Sequence, residues 1–167
     1  MNQPPLEAIF AVRLGWAPEQ DEVCTLTHAQ VGWLSEAERA SQESDGEGLQ
    51  VGCVLVNIAG QILARASSSP SLPLQPEGLG WGNRDISRHA EYVALQRCAN
   101  PIRPECGLVA YVSWLTCLGC ARFLHASGVR SLTAFSPSIA SLNDAHRFDG
   151  VIPFLRANFK KVLLVER

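Results

Sequence analysis

The chain has 167 residues, 47% of them hydrophobic, and carries 14 lysine and arginine residues against 16 aspartate and glutamate residues. This length suits one compact domain, and the apolar content excludes a disordered chain. The net charge of −2 excludes a broadly basic protein that covers nucleic acid or an anionic membrane surface.

Export and membrane signals are missing from the sequence. No apolar run reaches the roughly 18–20 residues that cross a bilayer, and residues 1–12 lack the basic start and apolar stretch of a signal peptide. We therefore expect a cytoplasmic protein with no membrane partner. In a reducing compartment, cysteines are reduced thiols or metal ligands rather than disulfides. The cysteines are Cys24, Cys53, Cys98, Cys106, Cys117 and Cys120.

Two stretches interrupt the regular pattern. Residues 1–25 contain prolines and show no sustained period, so we expect an irregular segment before a single domain over 26–167. Within that domain, residues 67–86 hold three consecutive serines, several prolines and several glycines, which predicts a loop insert. A loop of this length inside a compact domain usually has a function or is disordered.

The other segments alternate between helical and strand patterns. Apolar residues recur at helical spacing from Thr27, which is placed to cap a helix. The Ala59-Gly60 turn between two β-rich runs predicts a hairpin. In chain order we predict helix 27–44, strands 50–57 and 61–66, helix 88–99, strand 108–114, helix 117–127, strand 131–135, helix 144–159 and strand 161–166. This order predicts a three-layer α/β/α sandwich with a mixed five-stranded sheet and helices on both faces.

Metal-binding residue types occur at the starts of two predicted helices. His89 begins one helix, and Cys117 and Cys120 lie in the first turn of another, where a spacing of three puts both sulfurs on one face. Helices that follow parallel strands start at the same edge of a sheet, so the three side chains are able to converge. Two thiolates and one imidazole form a three-ligand zinc site that leaves the fourth position for water. We therefore predict Zn2+ as the cofactor.

Glu91 follows His89 by two residues, so its side chain points away from the ligand direction. A carboxyl group that is near a metal but not bound to it is able to carry protons to and from a reacting group. The alternative is a solvated acid that only favours the positive end of a helix. We predict Glu91 as the catalytic proton carrier.

The H-A-E run at 89–91, followed by the T-C-L-G-C run at 116–120, resembles the zinc-dependent cytidine and deoxycytidylate deaminase superfamily. The signature of that superfamily is H-x-E and then P-C-x-x-C. The resemblance covers roughly residues 35–135. It implies a cytidine deaminase-like fold and hydrolytic deamination: activated water adds to the carbon that bears the amino group, Glu91 transfers protons, and ammonia leaves. A predicted helix before the last strand is similar to the deoxycytidylate, guanine, riboflavin-pathway and tRNA-adenosine branches.

Two positions depart from the family pattern. Thr116 stands where the family has proline, and threonine at a helix start is able to act as a cap. The asparagine that the family places after the second strand has no counterpart at 64–68. Asn83 lies in a G-W-G-N-R run that is similar to a stretch of tRNA-adenosine deaminases, and it replaces that asparagine if the insert loops out and returns. Its alternative is an ordinary turn residue beside glycine.

Four more residues are candidate substrate contacts. Arg84 suits a substrate phosphate, although a surface arginine beside an aspartate is equally expected. Ala90 lies within the H-x-E run. Ser113 occupies the threonine position of the family, where it presents backbone to the base or bonds locally. Trp114 either stacks on the base or packs in the core.

Together these patterns predict a zinc hydrolase that deaminates a small nucleobase-containing molecule, with a dCMP-like nucleotide favoured. The alternatives are another base (guanine, another purine or a pterin-like ring) and a non-catalytic domain whose zinc is structural. We do not expect a polynucleotide substrate, because lysine and arginine do not cluster near the end of the chain. We expect a homo-oligomer that buries Trp16, Trp33 and an apolar N-terminal patch between subunits.

Overall fold

The computed structural model describes residues 8–45, 49–69, 88–98, 107–137 and 150–167. In this part of the chain the elements are β1 (Phe10–Arg13), β2 (Glu22–Thr25), α1 (His28–Ser41), β3 (Gly52–Val56), β4 (Ile62–Ser67), α2 (Ala90–Arg97), β5 (Val109–Val112), α3 (Leu118–Ala126), β6 (Ser131–Ser136), α4 (Val151–Asn158) and β7 (Lys161–Glu166). Among these helices, none is long and apolar enough to span a membrane.

One seven-stranded sheet, in the order β2-β1-β7-β6-β5-β3-β4, forms the middle layer. Strands β5, β6 and β7 are parallel, as expected for strands joined through helices, whereas β3 is antiparallel to both β4 and β5. Helix α1 packs on one face, and α2, α3 and α4 pack on the other. The predicted hairpin and the predicted mixed α/β/α sandwich are therefore confirmed.

The sheet has two strands more than the five predicted. They come from residues 1–25, where we expected an irregular segment and where β1 and β2 instead form an antiparallel hairpin that pairs with β7. Strand β1 buries only Ala11, and β2 buries none of its residues. Phe10 and Val23 are both exposed. Short strands of this kind lack the alternation of apolar and polar residues by which a strand is recognised in a sequence.

The helices begin at residues suited to helix starts. The Thr27 hydroxyl accepts a hydrogen bond from the Gln30 amide at 3.3 Å, and the Gln30 side chain accepts one from the Thr27 amide at 2.8 Å. This reciprocal pair confirms Thr27 as the cap of α1. Pro153 lies in the first turn of α4, where its missing N–H needs no partner within the helix. We predicted a helix over 144–159. The part of this prediction before residue 150 lies outside the described residues.

Helix α1 and strand β3 approach closely at Gly52. A β-carbon at this residue would overlap with the carbonyl oxygen of Ala37 and lie 2.6 Å from the amide nitrogen of Ser41. Gly52 is also tied to the end of β5: its amide donates to the Ser113 hydroxyl, and its carbonyl accepts from the Ser113 amide, both at 2.9 Å. Only glycine permits this distance between helix and strand, so α1, β3 and the end of β5 hold one another in place.

An ion pair joins the edge hairpin to α4. The Arg156 guanidinium donates to the Asp21 carboxylate at 2.7 Å and to the Gly15 carbonyl at 2.9 Å, and the side chain of Arg156 is only 7% exposed. Burial on its own would raise the pKa of Asp21, but the hydrogen bonds from Arg156 and from the Gly15 amide hold this pKa below its ordinary value of 3.8. The carboxylate form of Asp21 is therefore the form that the fold favours.

Replacing Asp21 with asparagine should lower the free energy of unfolding by about 1–3 kcal/mol near neutral pH, because a nearly buried guanidinium loses its charged partner. Since the folded-state pKa of Asp21 is lowered, its stabilisation is fully present above the unfolded value near 3.8 and is lost as the pH falls through the folded value. Urea denaturation of both proteins at a series of pH values from neutral downwards measures the difference. A difference that stays constant at acidic pH would contradict the ion-pair explanation.

The two tryptophans expected between subunits lie in different surroundings. Trp33 packs on Tyr111, with ring centroids 5.3 Å apart, and belongs to the apolar cluster under α1. Trp16 is 74% exposed. The homo-oligomer therefore stays a prediction that rests on Trp16 and on the edge hairpin, because Trp33 already has its partner inside the subunit.

Candidate active site

Helices α2 and α3 begin at the same edge of the sheet. Strand β3 lies between β4 and β5 and is antiparallel to both, so β4 and β5 run in the same direction and end at the same edge. The Ser69 amide donates to the Arg88 carbonyl at 2.9 Å, which ties the end of β4 to the residue before His89. His89 is the N-cap of α2, and Cys117 is the N-cap of α3. Two helix N-termini therefore meet at one place.

The side chains of His89, Cys117 and Cys120 bring three ligand atoms within 4.8 Å of one another. Nδ1 of His89 lies 3.3 Å from Sγ of Cys120 and 3.6 Å from Sγ of Cys117. Tetrahedral zinc, with Zn–S bonds of about 2.3 Å and Zn–N bonds of about 2.0 Å, separates nitrogen and sulfur ligands by about 3.5 Å. The donor atoms and their spacing therefore suit zinc, and three protein ligands leave one position for water or substrate.

The two cysteines differ in their electrostatic surroundings. A hydrogen bond from the Cys120 thiol, with further hydrogen bonds from His89 and the Cys120 amide, outweighs burial and lowers the pKa of Cys117 to about 4. The same contact with Cys117, together with burial, raises the pKa of Cys120. Sγ of Cys117 accepts from the Cys120 amide at 3.3 Å, at the positive end of α3. Cys117 is therefore a thiolate at neutral pH, the form of cysteine that binds metals.

Glu91 is an almost fully buried carboxyl group, with 3% of the residue exposed. It lies in the first turn of α2, and its Oε1 accepts a hydrogen bond of 2.6 Å from the hydroxyl of Thr116. Burial and the negative charge of Cys117 raise the pKa of Glu91, and they outweigh His89 and Thr116, which lower it. A buried carboxyl group with a raised pKa is suited to taking up and releasing a proton.

A pocket of about 440 Å³ opens over this group of side chains. Its polar floor includes His89, Glu91 and Cys117, and its walls are largely apolar. Ala90 and Trp114, two of the predicted substrate contacts, also line it. The other described lining residues are Leu49, Val51, Ser68, Leu115, Thr116, Leu118, Pro137 and Val151. Apolar walls with a small set of polar groups are typical of sites that bind a small organic molecule.

Of the other three predicted substrate contacts, only Ser113 lies in the part of the chain that the structure describes. The Ser113 hydroxyl accepts from the amide of Gly52 on the neighbouring strand β3, 61 positions away in sequence, so this bond is not the local one of the alternative, and Ser113 is not among the described lining residues. Asn83 and Arg84 lie outside the described residues, as does most of the predicted insert at 67–86. The side chain of Thr116 does not cap α3, because Cys117 is the N-cap and the Thr116 hydroxyl is directed to Glu91.

Sequence reasoning missed the wall of the pocket that comes from the start of β3 and the end of β4. Leu49, Val51 and Ser68 belong to this wall. The Ser68 hydroxyl accepts from the Val51 amide at 3.2 Å and shares a hydrogen bond of 3.0 Å with the Ser44 hydroxyl. Ser68 occupies the stretch where the family asparagine was sought. Its place directly after the second strand of the hairpin is the signal in the sequence that points to this wall.

About two thirds of the chain matches one family model. Residues 27–136 match the model of the cytidine and deoxycytidylate deaminase zinc-binding region. The chain belongs to this family, and it is an enzyme of the deaminase class that hydrolyses a carbon–nitrogen bond. The match spans the His-Cys-Cys group, whose donors suit zinc. Among curated proteins, no sequence matches this chain significantly.

Solved structures with the same fold include a dCMP deaminase from the cyanophage S-TIM5. Its complex with dCMP and dUMP is 18% identical and superposes with a TM-score of 0.59 over 85% of this chain and 98% of that chain. Its apo form is 17% identical and superposes with a TM-score of 0.54 over 85% of this chain and 99% of that chain. A structure from a study of tRNA:A34 deaminases is 24% identical and superposes with a TM-score of only 0.41, over 65% of this chain and 75% of that chain. At these identities the cyanophage structures show the fold alone.

Proposed function

We propose that this protein deaminates a small nucleobase-containing molecule, with a dCMP-like nucleotide as the favoured substrate. The observation that carries the proposal is a buried carboxyl group, Glu91, at the floor of an apolar pocket and beside the His-Cys-Cys group. In this proposal His89, Cys117 and Cys120 hold zinc, and Glu91 carries protons.

The reaction replaces an amino group on a ring carbon with oxygen and releases ammonia. Zinc held by His89, Cys117 and Cys120 would supply a water whose pKa falls from 15.7 to about 7, so that a nucleophile would be available at neutral pH. Glu91 would take one proton from this water and deliver it to the ring nitrogen next to the reacting carbon as the water oxygen bonds to that carbon. A second transfer through Glu91 protonates the amino group, the C–N bond breaks, and ammonia leaves. One water is consumed and one ammonia is formed.

The walls of the pocket support a flat ring as the substrate. Trp114, Leu115 and Val151 supply apolar surface, and an indole ring stacks on a base with an offset or edge-on geometry. A ring enclosed by such walls is held with the reacting carbon towards His89 and Glu91, and the orientation of bound reactants accounts for much of an enzymatic rate.

A nucleotide is favoured by the fold, because the cyanophage enzyme with the same fold was solved with dCMP and dUMP. A nucleotide phosphate needs a cationic or N–H partner. The described lining of the pocket contains neither lysine nor arginine. Arg84 and Asn83 remain the proposed contacts to phosphate and base, as the sequence predicts.

A different base is the second candidate, and Ser68 is the observation that favours it. The hydroxyl of Ser68 is held by Ser44 and the Val51 amide at the place where the family asparagine was sought. A short hydroxyl reaches less far than an amide and presents a different set of donors and acceptors. Guanine, another purine or a pterin-like ring would fit this change.

Ammonia release by the zinc-loaded protein tests both candidates. The panel contains cytosine, cytidine, dCMP, dCTP, guanine, adenosine and a pterin, each with wild type and with Glu91→Gln. We expect release from dCMP that the variant abolishes. Release from guanine or a pterin alone would move the assignment to the second candidate. Silence over the whole panel, with zinc bound at one ion per chain, would contradict the proposed function.

A further inference from the structure

Thr116 makes a short hydrogen bond with the buried carboxyl group of Glu91, which also has hydrogen bonds with Cys120 and with its own backbone. Its hydroxyl donates to Oε1 of Glu91 over 2.6 Å, although the two residues are 25 positions apart in sequence and belong to different helix starts. Thr116 is 2% exposed and Glu91 is 3% exposed, so water does not compete freely for this bond. A hydrogen bond to a carboxylate in such surroundings is short and directional.

We propose that Thr116 is a positioning residue that holds the Glu91 carboxyl group in one orientation at the floor of the pocket. The proposal rests on the proposed function, since it assigns Thr116 a part in placing the proton carrier. Glutamate has three rotatable side-chain bonds, and Glu91 enters the pocket from the first turn of α2. Anchoring one carboxyl oxygen to the residue just before the start of α3 restricts that freedom and fixes the distance from the carboxyl group to the reacting ring.

The position of Thr116 explains why this anchor is available here. It directly precedes the N-cap Cys117, so the same short segment places both a ligand and a donor to the proton carrier. Proline, which the family signature has at this position, carries neither a hydroxyl nor an N–H. This chain therefore orients its glutamate with a side-chain hydrogen bond that a proline-containing relative does not make through this residue.

A purely structural role predicts different measurements. If the hydroxyl only satisfied a buried oxygen, its removal would lower the free energy of unfolding and leave the turnover of the folded protein unchanged. A positioning role predicts lower kcat with nearly unchanged KM, because the walls that bind the ring are intact while the proton carrier is misplaced. Misplacement of a reacting group by about 1 Å is able to cost about 100-fold in rate.

The test compares zinc-loaded wild type with Thr116→Val, Thr116→Ser and Thr133→Val. Thr133 is the matched control, because it is equally buried and its hydroxyl bonds to Tyr111 on another part of the sheet. We expect Thr116→Val to lower kcat by about 10- to 100-fold with KM within about twofold. Thr116→Ser, which keeps the hydroxyl, should restore most of the rate, and Thr133→Val should lose stability without losing kcat.

A second readout does not depend on turnover. Crystal structures of the zinc-loaded proteins should show one conformer of Glu91 in wild type and Thr116→Ser and a displaced or disordered side chain in Thr116→Val, with zinc still bound. If the wild type deaminates nothing in the panel, the proposed function fails, but these structures still test whether Thr116 positions Glu91. Failure of the proposed function and failure of the positioning role are therefore distinguishable. If Thr116→Val does not fold, Thr116→Ala takes its place. An unmoved Glu91, or an unchanged kcat in the folded variant, would overturn the proposal.

Discussion

Replacing Glu91 with glutamine should lower kcat for deamination by about 10²–10⁴-fold or more while zinc stays bound. Glutamine has nearly the same size, and its carbonyl oxygen is still able to accept the hydrogen bond from Thr116. It is not able to take up and release a proton, so the proton transfers to the ring nitrogen and the leaving amine lose their carrier. Ammonia release at saturating substrate measures the loss, and elemental analysis measures the zinc.

The matched control for this variant is Glu22→Gln. Glu22 lies on the edge hairpin, its side chain is 70% exposed, and its contact with Arg13 is a loose 3.9 Å. An exposed pair of this kind contributes little to stability, so the control should keep wild-type turnover and wild-type stability. A Glu91→Gln protein that binds zinc and turns over within tenfold of wild type would show that another group carries the protons.

Replacing Cys117 with serine should abolish stoichiometric zinc binding, and activity should disappear with it. The pKa of Cys117 is lowered to about 4 by its hydrogen bonds with Cys120 and His89, so the site supplies a thiolate at neutral pH. A serine hydroxyl at the same place stays protonated and is a poor zinc ligand. A ligand at 100 times its dissociation constant stabilises the folded state by about 2.7 kcal/mol. Wild type should therefore gain thermal stability from added zinc, and the variant should gain almost none.

Cys24→Ser is the matched control for the cysteine substitution. Cys24 is a partly buried thiol on β2. This strand is at the opposite edge of the sheet from β3 and β4, which adjoin the pocket. We expect this control to keep one zinc per chain and the full stabilisation by added zinc. Zinc analysis and melting curves with and without a chelator compare the three proteins. Stoichiometric zinc in Cys117→Ser would show that this group of three residues is not the metal site.

The grouping of His89, Cys117 and Cys120 could be predicted from the sequence because it depends on local rules. Each helix start is set by the residues around it, and the alternation of strands and helices places both starts at one edge of the sheet. The structure brings the three side chains together, with their ligand atoms within 4.8 Å of one another. The two helix starts meet because β4 and β5 run in the same direction, although β3 lies between them.

The contacts of Thr116, Ser113 and Ser68 could not be predicted from the sequence. A hydroxyl beside a helix start is able to cap that helix, bond to its own backbone or reach another element, and only the tertiary packing decides among these. Thr116 reaches Glu91, and Ser113 reaches Gly52. The β1–β2 hairpin was missed for a related reason: its strands bury almost nothing, so their pairing depends on β7 rather than on their own pattern.

The contact at Gly52 affects which substitutions are able to change substrate preference. Helix α1 lies on the face of the sheet opposite to α2 and α3, yet it presses directly on the residue next to Val51, which forms part of the pocket wall. Substitutions on α1 around Ala37 and Ser41 are therefore transmitted through one strand to the substrate. A screen for altered substrate preference should recover variants from this helix, although it packs on the face of the sheet opposite to α2 and α3, and should recover few from the edge hairpin.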